Sequence, residues 1–190
     1  MAAPAGTVSG AMALRPLLLV ALCACAWALP ASATAPSTGW TTGRIDHVAD
    51  GDTVDLTNGQ KIRLVQIDTP EVYFTPECYG EQASALTKRL LPPGTLVKLY
   101  REPATDSIDQ YGRLLRYVVR ARDGLNVNVQ LVRVGAAAPY FYDGRRGRFA
   151  GLLERLTLHA KGLHLGLWGL CRGTPYDPDR GVATGSISSG

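Results

Sequence analysis

The sequence is poor in the residues that several common kinds of catalytic site require. It has three histidines, His47, His159 and His164, whose spacing fits no zinc-binding pattern, so surface or packing roles are expected for them. It contains neither a Gly-x-Ser-x-Gly turn nor a Walker phosphate loop, so a serine hydrolase and an NTPase have no support. No internal repeat is visible.

The length and composition fit one ordinary domain with extensions. The chain has 190 residues, of which 46% are apolar, and a formal net charge of +4. A basic surface suits a polyanionic partner, because each neutralised phosphate releases a counterion. Many secreted proteins are equally basic without binding nucleic acid, so charge alone leaves the partner open.

Charge is almost absent from the N-terminus, where Arg15 is the only charged residue before Arg44. An apolar run over residues 16–29 precedes small residues at Ala31 and Ala33. This pattern predicts a signal peptide over residues 1–33, cut after Ala33, and a protein secreted to the periplasm or the medium. Lipoprotein processing at Cys25 is the alternative.

Composition then separates a folded unit, residues 43–171, from two low-complexity stretches. Residues 34–42 are interpreted as a flexible linker and residues 172–190 as a disordered tail. The unit holds Cys78 and Cys171. In an oxidising compartment this pair predicts a disulfide, whereas two free buried thiols are the alternative.

The pattern of the unit predicts an α+β fold that is mainly β. Strands are predicted at residues 43–48, 53–56, 61–67, 95–100 and 114–119, and helices at residues 81–91, 127–134 and 148–161. Asn58-Gly59 is a hairpin turn, because both residues tolerate positive φ. A five-stranded meander with a helix after the third strand is the pattern of an OB-fold barrel, here with three helices.

Charged residues cluster at the ends of these predicted strands, in the segments 50–53, 68–71 and 109–113, with Arg63 on the third strand. Taken singly, each cluster could be an ordinary turn. Together they provide carboxylates for a hard cation and for proton transfer, and guanidinium groups that bind phosphate. The combination indicates phosphoryl chemistry.

The motifs resemble those of the staphylococcal nuclease (thermonuclease) family. They are Asp50-Gly51-Asp52-Thr53-Val54, Arg63-Leu64 through Ile67-Asp68-Thr69-Pro70-Glu71, Tyr79-Gly80, and Asp109-Gln110-Tyr111-Gly112-Arg113. Their order and spacing are similar to the family's over residues 43–168. The resemblance implies a secreted calcium-dependent nuclease that cleaves DNA and RNA at the P–O5′ bond, both internally and from ends, leaving 3′-phosphates.

The resemblance also implies roles for the matching positions. Asp52 and Asp68 would bind Ca²⁺ through their side chains, and Thr69 through its backbone carbonyl. The catalytic residues would be Glu71, which activates water, and Arg63 and Arg113, which hold the phosphate.

The substrate-binding residues would be three tyrosines. Tyr111 would contact a terminal phosphate, and Tyr140 and Tyr142 would line the nucleotide pocket, although ordinary packing is an alternative for these two. Stacking tyrosines favour single-stranded or frayed nucleic acid. A monomer without stable membrane association after signal cleavage is expected.

The sequence departs from the family pattern in three places. Gln110 replaces a lysine of the best-known member, so one phosphate-contacting charge is expected to be missing. The loop between Glu71 and Tyr79 is shorter and carries Cys78, and the segment before Tyr140 is shorter and contains Pro139. The competing hypotheses are a non-catalytic OB-fold module that binds nucleic acid, and an OB-fold module for oligosaccharides.

Overall fold

The structure, a computed structural model, describes residues 2, 6, 39–171 and 173–184. Two units separate along the chain, Met1–Ala35 and Pro36–Gly190, and the description below concerns the second. The predicted signal peptide and its cleavage site therefore lie outside the described residues, apart from positions 2 and 6. No helix in the described part of the chain is long and apolar enough to cross a membrane.

Short strands and helices alternate along the described domain. The strands are β1 (Trp40–Val48), β2 (Thr53–Leu56), β3 (Lys61–Leu64), β4 (Ile67–Asp68), β5 (Leu96–Arg101), β6 (Leu114–Arg120) and β7 (Ala138–Pro139). The helices are α1 (Gly80–Leu90), α2 (Val127–Arg133), α3 (Ala150–Gly162) and the single turn α4 (Leu167–Leu170), with a 3-10 turn at Tyr142–Gly144.

Five of the strands close into a barrel in the order β1-β2-β3-β6-β5. The neighbours are antiparallel except for β3 and β6, which run parallel, and β5 closes on β1. Apolar side chains of the strands and of the three longer helices share one buried core, which includes Ile45, Ile62, Val118, Leu131 and Leu153. The predicted five-stranded OB-fold barrel with three helices is confirmed, but the predicted meander order is wrong, because β3 pairs with β6 in parallel and not with β5, the next barrel strand in the chain.

The predicted third strand is wrong beyond Leu64, because the chain turns sharply at Gln66. Gln66 has a φ of 67°, in the left-handed region that non-glycine residues rarely adopt. Its side-chain amide donates to the carbonyl of Arg145 and accepts from the amide of Gly147, both at 2.7 Å. The turn directs β4 out of the barrel to pair with β7.

The two ends of the folded unit also extend beyond the predicted limits. Residues 40–42, expected in a linker, belong to β1 and pair with residues 98–100 of β5. Residues 173–184, expected in a disordered tail, lie against the domain, with Val182 and Thr184 buried. Cys78 and Cys171 form a disulfide, with 5.8 Å between their Cα atoms, immediately before this segment.

Candidate active site

The first acidic loop, between β1 and β2, is held tightly against its neighbours. Asp50 Oδ1 accepts the amide of Asp52 at 3.0 Å, and the Thr87 hydroxyl of α1 donates to the Gly51 carbonyl at 2.6 Å. A Cβ at Gly51 would collide with the side chain of Thr69, so glycine permits the close approach of the two acidic loops. Asp52 is thereby fixed with only 5% of its surface exposed.

Arg63 on β3 joins the first acidic loop to the second. Its Nε lies 3.1 Å from Asp52 Oδ1, and its Nη2 donates to Asp68 Oδ1 at 2.7 Å. Its Nη1 donates to the carbonyls of Leu64 and Ile67, at 3.0 and 2.9 Å. The turn at Gln66 is what brings the end of β4 back to this guanidinium.

The second acidic loop, residues 68–71, contacts Asp52 directly. Both the amide and the hydroxyl of Thr69 donate to Asp52 Oδ2, at 2.8 and 2.9 Å. Glu71 follows with an exposed side chain, and its backbone carbonyl packs so closely on Gly80 that a Cβ there would collide with it. This contact explains the glycine of the Tyr79-Gly80 motif, since α1 starts against the loop that carries Glu71.

Negative charge exceeds positive charge in this cluster. Burial raises the pKa of Asp52, and the charges of Asp68 and Asp50 add to the rise while Arg63 opposes it. Burial together with Asp68 and Asp50 also raises the pKa of Glu71. The carboxylates repel one another around one guanidinium, which is the electrostatic environment that a bound cation relieves.

The third cluster is organised by Asp109. Its Oδ1 accepts the amides of Tyr111 and Arg113, both at 2.9 Å, and its Oδ2 accepts Arg113 Nε at 2.7 Å. Arg113 Nη1 also donates to the Thr53 hydroxyl at 3.3 Å, and that hydroxyl donates to Asp52 at the same distance. Thr53 therefore connects Arg113 to the acidic cluster.

A cavity of about 440 Å³ opens beside the two arginines. Arg63 and Arg113 both line it, together with the predicted substrate-binding residues Tyr111, Tyr140 and Tyr142. The rings of Tyr140 and Tyr142 are 6.3 Å apart, and Tyr111 and Tyr142 are mostly exposed. The acidic residues Asp52, Asp68 and Glu71, and Thr69 between the last two, do not line this cavity, so the site has an acidic end and an aromatic end that meet at the arginines.

The sequence interpretation missed two contributors to this site. Gln66 shapes the turn before Asp68 and lines the cavity, and Val182 donates its amide to Asp68 Oδ2 at 2.9 Å. Neither has a local signal, because each acts through contacts with residues far away in the chain. The only hint is Gly181, a residue type that tolerates the positive φ of 76° found there.

The donors around the acidic end suit a hard cation. Within the described ranges, no group of three or more His, Cys, Asp or Glu side chains is arranged to hold a metal ion. The expected calcium ligands include only two such side chains, the carboxylates of Asp52 and Asp68, together with the backbone carbonyl of Thr69. Each oxygen of Asp68 accepts one hydrogen bond and retains room for another contact. Two of the contacts to Asp52 come from hydroxyls, which can rotate away.

Comparison with known proteins relates this geometry to a family. The profile described as "Staphylococcal nuclease homologue" matches residues 61–169, which include Arg63, Asp68, Glu71 and Arg113 and begin after Asp52. Endonuclease YhcR of Bacillus subtilis (strain 168) is 39% identical over 111 residues, which are 52% of this chain and 9% of that protein.

Two relatives from Escherichia coli extend the comparison. An uncharacterized endonuclease of Escherichia coli O157:H7 is 40% identical over 101 residues, 52% of this chain and 60% of that protein. Protein ParB is 32% identical over 136 residues, 66% of this chain and 71% of that protein. This chain thus spans less than two thirds of the first two relatives. Because the family profile covers more than half of the chain, including four of the residues assembled here, the chain belongs to the staphylococcal nuclease homologue family.

Proposed function

We propose that this protein is a calcium-dependent nuclease that hydrolyses phosphodiester bonds of DNA and RNA after export from the cell. Cleavage is at the P–O5′ bond and leaves 3′-phosphates. The observation that carries the proposal is Arg63, buried between Asp52 and Asp68 at the edge of a cavity that Arg113 also lines. The names of the relatives, two of which are endonucleases, agree with it.

The acidic end is the proposed calcium site. Asp52 and Asp68 would hold the ion through their carboxylates, and Thr69 through its backbone carbonyl. A bound Ca²⁺ polarises the phosphate and lowers the cost of forming hydroxide from water. The excess of carboxylates over cationic groups supports an ion at this position.

Glu71 is the proposed base for the attacking water. Its side chain is exposed at the surface, yet its own partial desolvation and the charges of Asp68 and Asp50 raise its pKa, which makes it a better proton acceptor. The closed loop after it limits its movement, since its amide donates to Glu77 Oε2 at 3.0 Å and its carbonyl accepts the Glu77 amide at 2.9 Å.

The two arginines are proposed to stabilise the charge that builds on the equatorial phosphate oxygens. Both line the cavity, and Thr53 connects Arg113 to Asp52, so a phosphate bound between the guanidinium groups would also lie close to the acidic end. Contacts of this kind read no base sequence.

The aromatic end is the proposed site for the sugar and base. Tyr111, Tyr140 and Tyr142 present rings along one cavity, and stacking on aromatic rings tolerates any base. Single-stranded or frayed substrate exposes its bases for such contacts. The disulfide between Cys78 and Cys171 agrees with export to an oxidising compartment.

The decisive experiment measures cleavage of plasmid DNA and of RNA by the full chain with calcium, with magnesium and with chelator. We expect cleavage with calcium, its loss with chelator, and 3′-phosphate ends on the products. Glu71→Gln should lower the rate by about 100-fold or more, while its melting temperature stays close to that of the wild type. Glu81→Gln, an equal change on the exposed face of α1, is the matched control.

The alternative is a module that binds nucleic acid without cutting it. That alternative is supported if the protein binds single-stranded DNA in calcium but leaves it intact over long incubation. The second criterion for the nuclease is that Glu71→Gln loses more cleavage activity than Glu81→Gln. Equal rates for Glu71→Gln and Glu81→Gln would remove Glu71 from the reaction.

A further inference from the structure

A segment outside the family match reaches back to the candidate active site. We name residues 173–184 the C-terminal strap. The amide of Val182 in the strap donates to Asp68 Oδ2 at 2.9 Å, while Arg63 donates to the other oxygen of the same carboxylate. A residue of the strap thus contacts a proposed calcium ligand 114 positions earlier in the chain.

The strap is anchored at several points. It begins two residues after Cys171, which is bonded to Cys78, and near its end the Thr184 hydroxyl donates to the Cys78 carbonyl at 2.7 Å. Between these anchors, the Pro178 carbonyl accepts the amide of Phe141 at 2.7 Å. Both ends of the strap are therefore held at Cys78, and its middle is fixed to the segment that carries Tyr140 and Tyr142.

We propose that the strap is a positioning element for the Asp68 carboxylate, an inference that rests on the proposed calcium site. A carboxylate with a donor on each oxygen is restrained in rotation about its χ2 angle. Arg63 alone restrains one oxygen, and the Val182 amide restrains the other. The strap fixes the orientation of Asp68 before a cation arrives, which reduces the cost of ordering the site.

Gly181 is the residue that permits this contact. Its φ of +76° is one that side chains rarely adopt, and a Cβ there would lie 2.6 Å from Asp68 Oδ2 and 3.4 Å from Tyr140 Cδ2. Glycine is thus required both by the backbone conformation and by the close approach to Asp68. A methyl group at this position would push the strap away from the carboxylate.

The strap also supplies its own control. Gly173 has a φ of +72°, close to that of Gly181, but a Cβ at Gly173 would have no atom within 4 Å. Gly181→Ala and Gly173→Ala therefore introduce the same backbone strain, and only the first disturbs Asp68. Both variants are made in the full chain.

The test measures the calcium dissociation constant by calorimetry and the hydrogen exchange of the Val182 amide without calcium. We expect Gly181→Ala to weaken calcium binding by about 10-fold or more, with fast exchange at Val182. Gly173→Ala should retain the wild-type dissociation constant and slow exchange at Val182. Val182→Pro, which removes the donor, should repeat the calcium result of Gly181→Ala and serves if that variant fails to fold.

The outcomes separate this inference from the proposed function. If the wild type binds calcium and cleaves DNA while Gly181→Ala and Gly173→Ala have the same calcium dissociation constant, the strap has no positioning role and the proposed nuclease function is unaffected. Fast exchange of the Val182 amide in the wild type would also contradict the positioning role of the strap. If the wild type neither binds calcium nor cleaves, the proposed function fails, and the role of the strap fails with it.

Discussion

The two arginines of the site differ in how much of their hydrogen-bonding capacity the fold already uses. Arg63 donates three hydrogen bonds, to Asp68 and two carbonyls, and its Nε forms an ion pair with Asp52 at 3.1 Å, so one of its five N–H groups is left outside these contacts. Arg113 engages Asp109 and Thr53 and retains three. Arg63 is thus part of both the fold and the site, whereas Arg113 mainly presents donors to the cavity.

The difference follows from where their partners lie in the sequence. Asp109 precedes Arg113 by four residues and holds it through a local turn. The acidic partners of Arg63 lie on two separate loops, and only the closed barrel brings those loops together. A buried charge that loses its partner is costly, so the acidic end depends on Arg63 for stability in a way that the aromatic end does not depend on Arg113.

The largest expected effect comes from replacing each arginine by methionine. We expect both Arg63→Met and Arg113→Met to lower the rate of DNA cleavage by about 100-fold or more, because each removes charge from the same phosphate. Urea unfolding should separate them. Arg63→Met should lose about 3 kcal/mol, because Asp52 is left buried and unpaired, and Arg113→Met should lose less.

A second substitution identifies the cause of that loss. Adding Asp52→Asn to Arg63→Met removes the unpaired charge, so stability should recover in part while activity does not. Equal losses of stability in the two single variants would abolish the distinction between the arginines.

The sequence predicts the local parts of this arrangement better than the long-range ones. Asp109 accepts amides two and four residues later, and this turn is visible in the motif Asp-Gln-Tyr-Gly-Arg. The barrel could likewise be predicted from short alternating strands separated by turn residues. These features depend on neighbours in the chain.

The turn at Gln66 and the strap could not be predicted in the same way. The side chain of Gln66 is held by Arg145 and Gly147, about eighty residues later, and the positive φ follows from those contacts. The strap is rich in residues that favour turns, and such a composition does not reveal that Val182 pairs with Asp68. Tertiary contacts override local preference at both places.

Glu102 offers a reference case for the buried carboxylates of the site. It is also buried and paired with an arginine, Arg148, but neither residue belongs to the site. It accepts the amides of Arg148 and Ala104, at 2.9 and 3.1 Å, the Arg148 guanidinium, and the Tyr117 hydroxyl. Burial raises the pKa of Glu102, but these hydrogen bonds outweigh it and hold the pKa below its usual value of 4.5. Its contribution to stability is therefore present above pH 4.5 and is lost as the pH falls through the lowered value.

We expect Glu102→Gln to lower the free energy of unfolding by about 2 kcal/mol at neutral pH, because an amide group would replace an oxygen that accepts backbone amides. The difference in unfolding free energy between the variant and the wild type should become smaller in acid, and cleavage by the folded variant should stay near the wild-type rate. Unfolding in urea at neutral pH and below pH 4.5 measures this difference. A difference that is constant with pH would show that the ionised form of Glu102 does not stabilise the fold.

The smallest expected effect comes from adding charge at the end that Arg113 occupies. Gln110 is exposed and lines the cavity, so Gln110→Lys places a cation beside the proposed path of the nucleic acid. Gln82→Lys adds the same charge to the exposed surface of α1 and is the matched control.

We expect Gln110→Lys to bind single-stranded DNA more tightly at low salt. Its plot of log K against log salt should steepen by about 0.7, the value for one added phosphate contact on a single strand. The control should keep the wild-type slope. If both lysines steepen the plot equally, net charge alone is responsible and the aromatic end does not guide the strand. If only Gln110→Lys steepens it, the strand passes along the cavity that Gln110 and Arg113 both line.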